Sequence, residues 1–120
     1  MADKLKLSTK SSDQLNFLST RLNLKRNVIC RLALSVSLSS KEPVSYEITT
    51  DSDGYEFNKT TIMGPDEIYF RALSSYVQNK AADSDFFNIV VRNHIEKGLD
   101  VMFSEYQKIN SPVGYLSSFV

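Results

Sequence analysis

The stretch at residues 28–38, VICRLALSVSL, is the feature that most limits what this chain can fold into. Its only polar residues are Arg31, Ser35 and Ser37, and it has neither glycine nor proline, so it predicts a helix rather than a strand. A helix that is apolar on nearly every side must be covered on nearly every side. Because a chain of 120 residues offers little else to cover it, we expect this helix to contact a second subunit.

The predicted subunit contacts lie on this helix and on the one before it. Phe17 shares a helical stripe with Lys10, Gln14 and Arg21, and an aromatic ring on a polar face either packs against a neighbouring subunit or touches a ligand. The predicted oligomer interface comprises Phe17, Val28, Ile29, Leu32 and Val36.

The charges are unevenly distributed along a chain whose formal net charge is zero. Residues 1–31 hold seven Lys or Arg and two acidic residues, whereas the remaining residues hold seven Lys or Arg and twelve acidic residues. Such asymmetry indicates either a basic end that binds a polyanion or a basic face that is simply solvated. Lys25 and Arg26 precede the apolar stretch, where cations oppose the helix dipole unless an anion binds there. The predicted anion-binding residues are Lys4, Lys6, Lys10, Arg21, Lys25 and Arg26.

The order of the predicted elements indicates a mainly α-helical single domain, 1–120. Residues 4–7 alternate lysine and leucine, as in a short strand, and a helix follows from Ser8 or Thr9 to about Leu22, with Asn23 as C-cap. With the second helix these form a basic, ribbon-helix-helix-like part, 1–39, an arrangement in which two chains pair their strands. We expect a β-hairpin or structured loop at 40–64, two to three helices at 65–109 and a tail at 110–120.

Two of these later helices have specific signals. Pro65 and the acidic residues after it predict the start of a helix, whose core stripe would be Ile68, Tyr69, Ala72, Leu73, Tyr76 and Val77. Residues 83–85 predict the cap of the next helix, in which Gly98 either ends the helix or lets a neighbour approach closely.

No residue pattern compels an enzymatic function. The sequence has no phosphate-binding loop, no Cys/His cluster and no nucleophile elbow, and His94 lies on an apolar helix face, as hydrogen-bonded core histidines do. The acidic residues at 47–56 are dense but lie where a turn is predicted, so we assign no catalytic residue, metal or cofactor. Cys30 is expected to be a packed apolar residue. With no disulfide, no leader and no apolar run of about 18 residues, we expect a cytoplasmic chain without membrane contact.

Several segments together resemble the DndE family of DNA sulfur modification (phosphorothioation) proteins. They are LKLSTKSSDQLNFL at 5–18, LNLKRNVICRLALSVSL at 22–38, DGYEFNKTTIMG at 53–64 and HIEKG at 94–98. The resemblance implies a small bacterial cytosolic protein that works with a sulfurtransferase-like partner, an ATPase and a cysteine desulfurase. It also implies self-assembly, which we expect to give a tetramer rather than a dimer, and affinity for nicked or intact duplex DNA through lysines.

We therefore predict a DNA-binding accessory subunit with little sequence specificity, since lysines grip phosphate without reading bases. Two alternatives stay open at this point: a DNA nickase that uses the acidic residues of the predicted hairpin, and a protein–protein adaptor of the modification complex.

Overall fold

The fold is described from a computed structural model that covers residues 4–79 and 86–110. The predicted fold class is confirmed: the chain is mainly helical, with one short antiparallel sheet. The elements in order are β1 (Lys4–Lys6), α1 (Thr9–Leu22), α2 (Arg26–Ser39), β2 (Glu56–Asn58), α3 (Lys59–Met63), α4 (Glu67–Gln78) and α5 (Arg92–Asn110). A 3-10 turn at Gly64–Asp66 precedes α4, and a π-helical turn at Phe86–Val91 leads into α5. The predicted cap at 83–85 and the predicted tail beyond Asn110 lie outside the described residues.

The partner of β1 is β2 of the same chain. Lys4 pairs with Asn58, Leu5 with Phe57 and Lys6 with Glu56. Of the two predictions for residues 40–64, the structured loop is confirmed and the hairpin is wrong, because residues 44–50 form no strand. Gly54 explains the course of the loop: its N–H donates to Leu7 O at 2.8 Å, and a Cβ added there would lie 2.5 Å from Ser8 O. The loop is thus held against the start of α1.

Helix α1 begins and ends where its local signals predicted. The Ser8 side chain accepts a hydrogen bond from Ser11 N at 3.1 Å, and Asn23 adopts the left-handed conformation (φ 56°) at the C-cap. Both devices satisfy backbone groups that a helix end leaves unpaired.

Helix α2 is the centre of the core, and most of its cover comes from α5. Cys30, Ala33 and Leu34 are fully buried. Gly98 lies inside α5 and permits the close contact, since a Cβ there would stand 2.7 Å from Ala33 Cα and nearer still to its carbonyl. Ile29 is also fully enclosed by the chain itself, so its assignment to a subunit interface is corrected to the core.

Helix α4 forms as predicted, but only part of its predicted apolar stripe is buried: Leu73 and Val77 pack against the core, and the other four residues are exposed. Ile68, Tyr69 and Tyr76 are 84%, 62% and 73% exposed, whereas Phe70 and the polar Ser74 are buried. The buried face also carries Gln78, whose Oε1 accepts from Val44 N at 2.7 Å and whose Nε2 donates to Val44 O at 3.0 Å. The inward face of α4 thus combines apolar packing with tertiary hydrogen bonds.

Candidate nucleic-acid interface

The two lysines of β1 lie on the outer face of the small sheet. Lys4 and Lys6 are exposed, while Leu5 between them is 2% exposed and belongs to the core. This alternation was predicted from the sequence, because successive side chains of a strand point to opposite faces. Lys6 stands opposite the exposed Glu56, so the sheet face carries mixed charge around its lysines.

The connection between α1 and α2 carries the second group of predicted cations. Lys25 is the N-cap of α2 and makes no side-chain capping bond, so the first N–H groups of the helix have no side-chain acceptor at the cap. Arg26 is held in place: its Nε donates to Asn16 Oδ1 at 3.0 Å and its guanidinium lies 4.5 Å from the centre of the Tyr55 ring. An oriented cation beside free helix N–H groups is a geometry that favours an anion.

Arg21 joins this group, near the C-terminal end of α1. Its guanidinium lies 4.9 Å from the centre of the Phe17 ring. Phe17 in turn packs edge-to-face on Phe103 and Tyr106, with centroid distances of 5.2 and 5.5 Å. Phe17 is half-buried by its own chain and keeps part of its ring exposed, so its role at a subunit interface stays a prediction.

Lys10 lies apart from the other helical cations. It is eleven residues before Arg21 on α1, or roughly 16 Å along the axis at 1.5 Å per residue. Its Nζ is 3.8 Å from Asp100 Oδ1, and both side chains are largely exposed. The structure thus forms a sheet group, Lys4 and Lys6, and a helix-junction group, Arg21, Lys25 and Arg26, and leaves Lys10 outside both.

A buried arginine that sequence reasoning missed holds β1 in position. Arg92 is 1% exposed; its Nε donates to Lys6 O at 2.8 Å, and its Nη2 donates to Thr50 Oγ1 and to Asp51 O, both at 2.9 Å. Its Nη2 also lies 3.4 Å from Glu96 Oε2, which accepts from Ser8 N at 2.6 Å. The one signal of this arrangement in the sequence is the i,i+4 spacing of Arg92 and Glu96. Exposed ion pairs on helices have the same spacing, so it does not indicate burial.

Among the acidic residues of the loop, Asp51 has a structural role. Asp51 Oδ1 accepts from Thr9 N and Thr9 Oγ1 at 2.9 Å and from Asp53 N at 3.1 Å. The Thr9 and Asp53 N–H groups, with the Thr9 hydroxyl, lower the pKa of Asp51. Within residues 4–79 and 86–110, no three His, Cys, Asp or Glu side chains are grouped so as to hold a metal ion.

His94 is a hydrogen-bonded core residue, as predicted. It is fully buried, with Nδ1 2.7 Å from Ser37 Oγ and Nε2 3.1 Å from Gln78 Oε1. Burial, with a smaller contribution from Lys97, lowers the pKa of His94 to about 4. Cys30 is likewise packed in the core, and burial raises the pKa of its thiol to about 12.

The predicted interface residues of α2 differ in what they expose. Leu32 is 42% exposed, and Val28 and Val36 are half-buried, so all three keep surface that a second subunit could contact. Among the helices that the structure describes, none is long and apolar enough to cross a bilayer.

Comparison with known proteins gives a family assignment. The family profile described as "DNA sulphur modification protein DndE" matches residues 4–110. The fold is similar to the crystal structure of DndE from Escherichia coli B7A involved in DNA phosphorothioation modification (TM-score 0.71, 20% identity, covering 83% of this chain and 95% of that one). It is also similar to the crystal structure of a glycine-to-lysine mutant of DndE involved in DNA phosphorothioation (TM-score 0.69, 22% identity, covering 83% of this chain and 96% of that one). A comparison with curated protein sequences gave no match. The chain belongs to the DndE family of DNA sulphur modification proteins.

Proposed function

We propose that this chain, folded as one domain, is a non-catalytic DNA-binding subunit of a DNA phosphorothioation system that works in the cytoplasm. Membership of the DndE family supports the process, and the similar crystal structures are of proteins involved in DNA phosphorothioation. The observation that carries DNA binding is the pair of exposed cation groups on firmly held backbone: Lys4 and Lys6 on β1, and Lys25 and Arg26 at the start of α2.

The rigid placement of these cations matters because a side chain or loop that becomes ordered only on binding loses conformational entropy, which weakens binding. Arg92 fixes the backbone of β1, and Tyr55 and Asn16 fix the guanidinium of Arg26. Phosphate oxygens then meet cations whose positions are largely set in advance. Three of the four cations are lysines, which grip phosphate as point charges, and the Nε of Arg26 is already bonded to Asn16, so the subunit binds nicked or intact duplex with little sequence specificity.

The subunit works as a homo-oligomer, a tetramer rather than a dimer, together with other proteins of the modification system. Two exposed apolar surfaces support assembly: the α2 surface of Val28, Leu32 and Val36, and the α4 face that contains Ile68 and Tyr76. Exposed apolar patches of this kind mark interaction sites. Several copies on one DNA molecule multiply weak phosphate contacts through effective concentration.

Filter binding of nicked and intact duplex tests the DNA-binding proposal. The quadruple variant Lys4→Glu/Lys6→Glu/Lys25→Glu/Arg26→Glu is expected to lose affinity at least 100-fold. A double variant with charge reversals elsewhere, Lys41→Glu/Lys108→Glu, gives the effect of each reversed charge outside the proposed surface and should lose less than 1.5-fold. Equal losses per reversed charge in the two variants would contradict a localised DNA surface.

The same samples test for nicking. A nickase would cleave the duplex in the presence of Mg²⁺, and Glu56→Gln would abolish that cleavage. We expect intact substrate after long incubation, because Asp51 Oδ1 is occupied by its bonds to Thr9 and Asp53 and Glu56 stands opposite Lys6.

Light scattering tests the assembly. Leu32 and Val101 are equally exposed, each at 42%, so Leu32→Asp and Val101→Asp insert the same charge at sites of equal burial. Leu32→Asp should yield a folded monomer or smaller assembly, whereas Val101→Asp should leave the mass unchanged. An unchanged mass in Leu32→Asp would contradict assembly through α2.

A further inference from the structure

A groove between α1 and α5 stands out from the rest of the basic N-terminal part by its charge. It encloses about 680 Å³ and is lined by Thr9, Lys10, Asp13, Gln14, Phe17, Asp51 and Phe103. The aromatic rings of Phe17 and Phe103 meet at 72° and form its apolar part. The lysine of the wall, Lys10, lies 3.8 Å from Asp100, and among the residues that the structure describes neither Asp13 nor Asp51 forms an ion pair.

The carboxylates of this groove can accept hydrogen bonds from a ligand. Asp13 and Asp51 are both exposed. Among the residues that the structure describes, the bonds of Asp51 to Thr9 and Asp53 all end on Oδ1. Gln14 is 6% exposed and its Nε2 donates to Asp100 Oδ1 at 3.0 Å, but its Oε1 is closed off from the surface and has no donor among these residues. The site therefore favours a ligand that brings several N–H groups to two carboxylates.

A guanidinium has the required chemistry: it is planar, permanently charged, carries five N–H donors and no acceptor, and stacks on aromatic rings. The chain already contains one such contact on a ring of this groove, since the guanidinium of Arg21 lies 4.9 Å from the centre of Phe17. DNA does not fit the groove, because phosphates are repelled by Asp13 and Asp51.

We propose that this groove is a docking site for an arginine side chain of a partner protein. The guanidinium pairs with the carboxylates of Asp13 and Asp51, while the methylene stem packs on Phe17 and Phe103. The proposal goes beyond DNA binding: it gives the subunit a protein-binding surface of opposite charge, separate from Lys4, Lys6, Lys25 and Arg26. One chain can then hold DNA and a protein partner at the same time.

The test uses N-acetylarginine methylamide as the probe, titrated into the ¹⁵N-labelled full chain. We expect chemical-shift changes in residues 9–17, at Phe103 and in the Gln14 side-chain amide, with a dissociation constant on the order of millimolar, as suits partly exposed ion pairs. N-Acetylcitrulline methylamide has nearly the same shape without the charge and should bind at least 10-fold more weakly.

Variants separate the groove from general charge effects. Asp13→Asn should weaken the arginine probe at least 5-fold, whereas Asp66→Asn, which removes an exposed carboxylate before α4, should leave it unchanged. Equal binding of the citrulline probe, or an unaltered titration in Asp13→Asn, overturns the proposal. Tighter binding of N-acetyllysine methylamide overturns the assignment to arginine.

Two further measurements distinguish this surface from those of the proposed function. Asp13→Asn should keep its affinity for duplex DNA, while the Lys25→Glu/Arg26→Glu variant should lose DNA and keep the arginine probe. Light scattering of Asp13→Asn should give the mass of the unsubstituted protein. A smaller mass overturns a separate protein partner, because the arginine would then come from a second copy of this chain.

Discussion

Replacing Arg92 by methionine removes a buried charge on which several segments depend. The guanidinium contacts Lys6 O, Thr50 Oγ1, Asp51 O and the Glu96 carboxylate, and Arg92 is 1% exposed. Methionine fills much of the same volume without the donors. The perturbation therefore isolates the electrostatic and hydrogen-bonding role of Arg92 from simple loss of packing.

The expected cost follows from what remains after the substitution. The Glu96 side chain, 13% exposed, loses its cation, and the carbonyl oxygens of Lys6 and Asp51 lose a charged donor. Breaking a buried ion pair by removing one partner costs about 3–5 kcal/mol. The lost hydrogen bonds to Lys6, Thr50 and Asp51, at about 1.5 kcal/mol each, give a similar figure, and a fourth bond, from Nη1 to Asn93 Oδ1, is lost with them. At about 4 °C per kcal/mol for a chain of this size, Tm should fall by about 12–20 °C.

Lys97→Met on the same helix is the matched control. Lys97 lies 3.4 Å from Glu42, but the two side chains are 29% and 74% exposed. A solvated pair of this kind contributes less than about 1 kcal/mol. Urea unfolding followed by circular dichroism measures both free energies, at one protein concentration because association contributes to stability.

Two results would refute this reasoning. One is a loss in Arg92→Met no larger than that in Lys97→Met. The other is strict additivity of Arg92→Met and Glu96→Gln, since two groups in contact should show a coupling energy of about 1 kcal/mol or more in a double-mutant cycle.

Three other predictions concern the core. Gly98→Ala should lower the free energy of unfolding by at least about 2 kcal/mol in the same urea assay, because the new methyl group collides with the backbone of Ala33; a neutral effect would contradict the close contact of α2 and α5. Because the pKa of His94 is about 4 in the folded state and about 6.5 when unfolded, unfolding takes up a proton in this range, and stability should fall by roughly 2 kcal/mol as pH drops from 6.5 to 4. His94→Asn should show a smaller fall, and equal falls would refute the assignment. The Cys30 thiol should react with a disulfide reagent only after urea unfolding, and rapid modification of the native chain would contradict its burial.

The elements that sequence reasoning located correctly are those with local causes. Ser8 and Asn23 cap α1 through bonds to residues within one turn, so the bounds of the helix follow from neighbouring residues. The exposed lysines of β1 follow from strand alternation in the same way. Gly98 was correctly identified as a point of close approach or a helix end, and the contact with Ala33 decides between the two.

What the sequence did not reveal depends on contacts between distant residues. Periodicity identifies α4 as amphipathic, but it does not show that Gln78 bonds to Val44 or that Ile68, Tyr69 and Tyr76 stay exposed. Ile29 is buried by residues of its own chain, and no local pattern in the sequence predicts which elements cover it. Arg92 and Glu96 have the i,i+4 spacing of an ordinary surface ion pair. The sequence does not show that the backbone of Lys6 and Asp51 packs over Arg92 and accepts hydrogen bonds from it.

The salt dependence of duplex binding tests the central claim most directly. Each phosphate contact adds about 0.9 to the slope of log K against log salt concentration. The unsubstituted protein should show affinity that falls steeply with salt, and Lys25→Glu/Arg26→Glu should reduce the slope by about 2. Lys41→Glu/Lys108→Glu should leave the slope unchanged. An unchanged slope in Lys25→Glu/Arg26→Glu, or no binding by the unsubstituted protein at low salt, would contradict a DNA-binding surface at the start of α2.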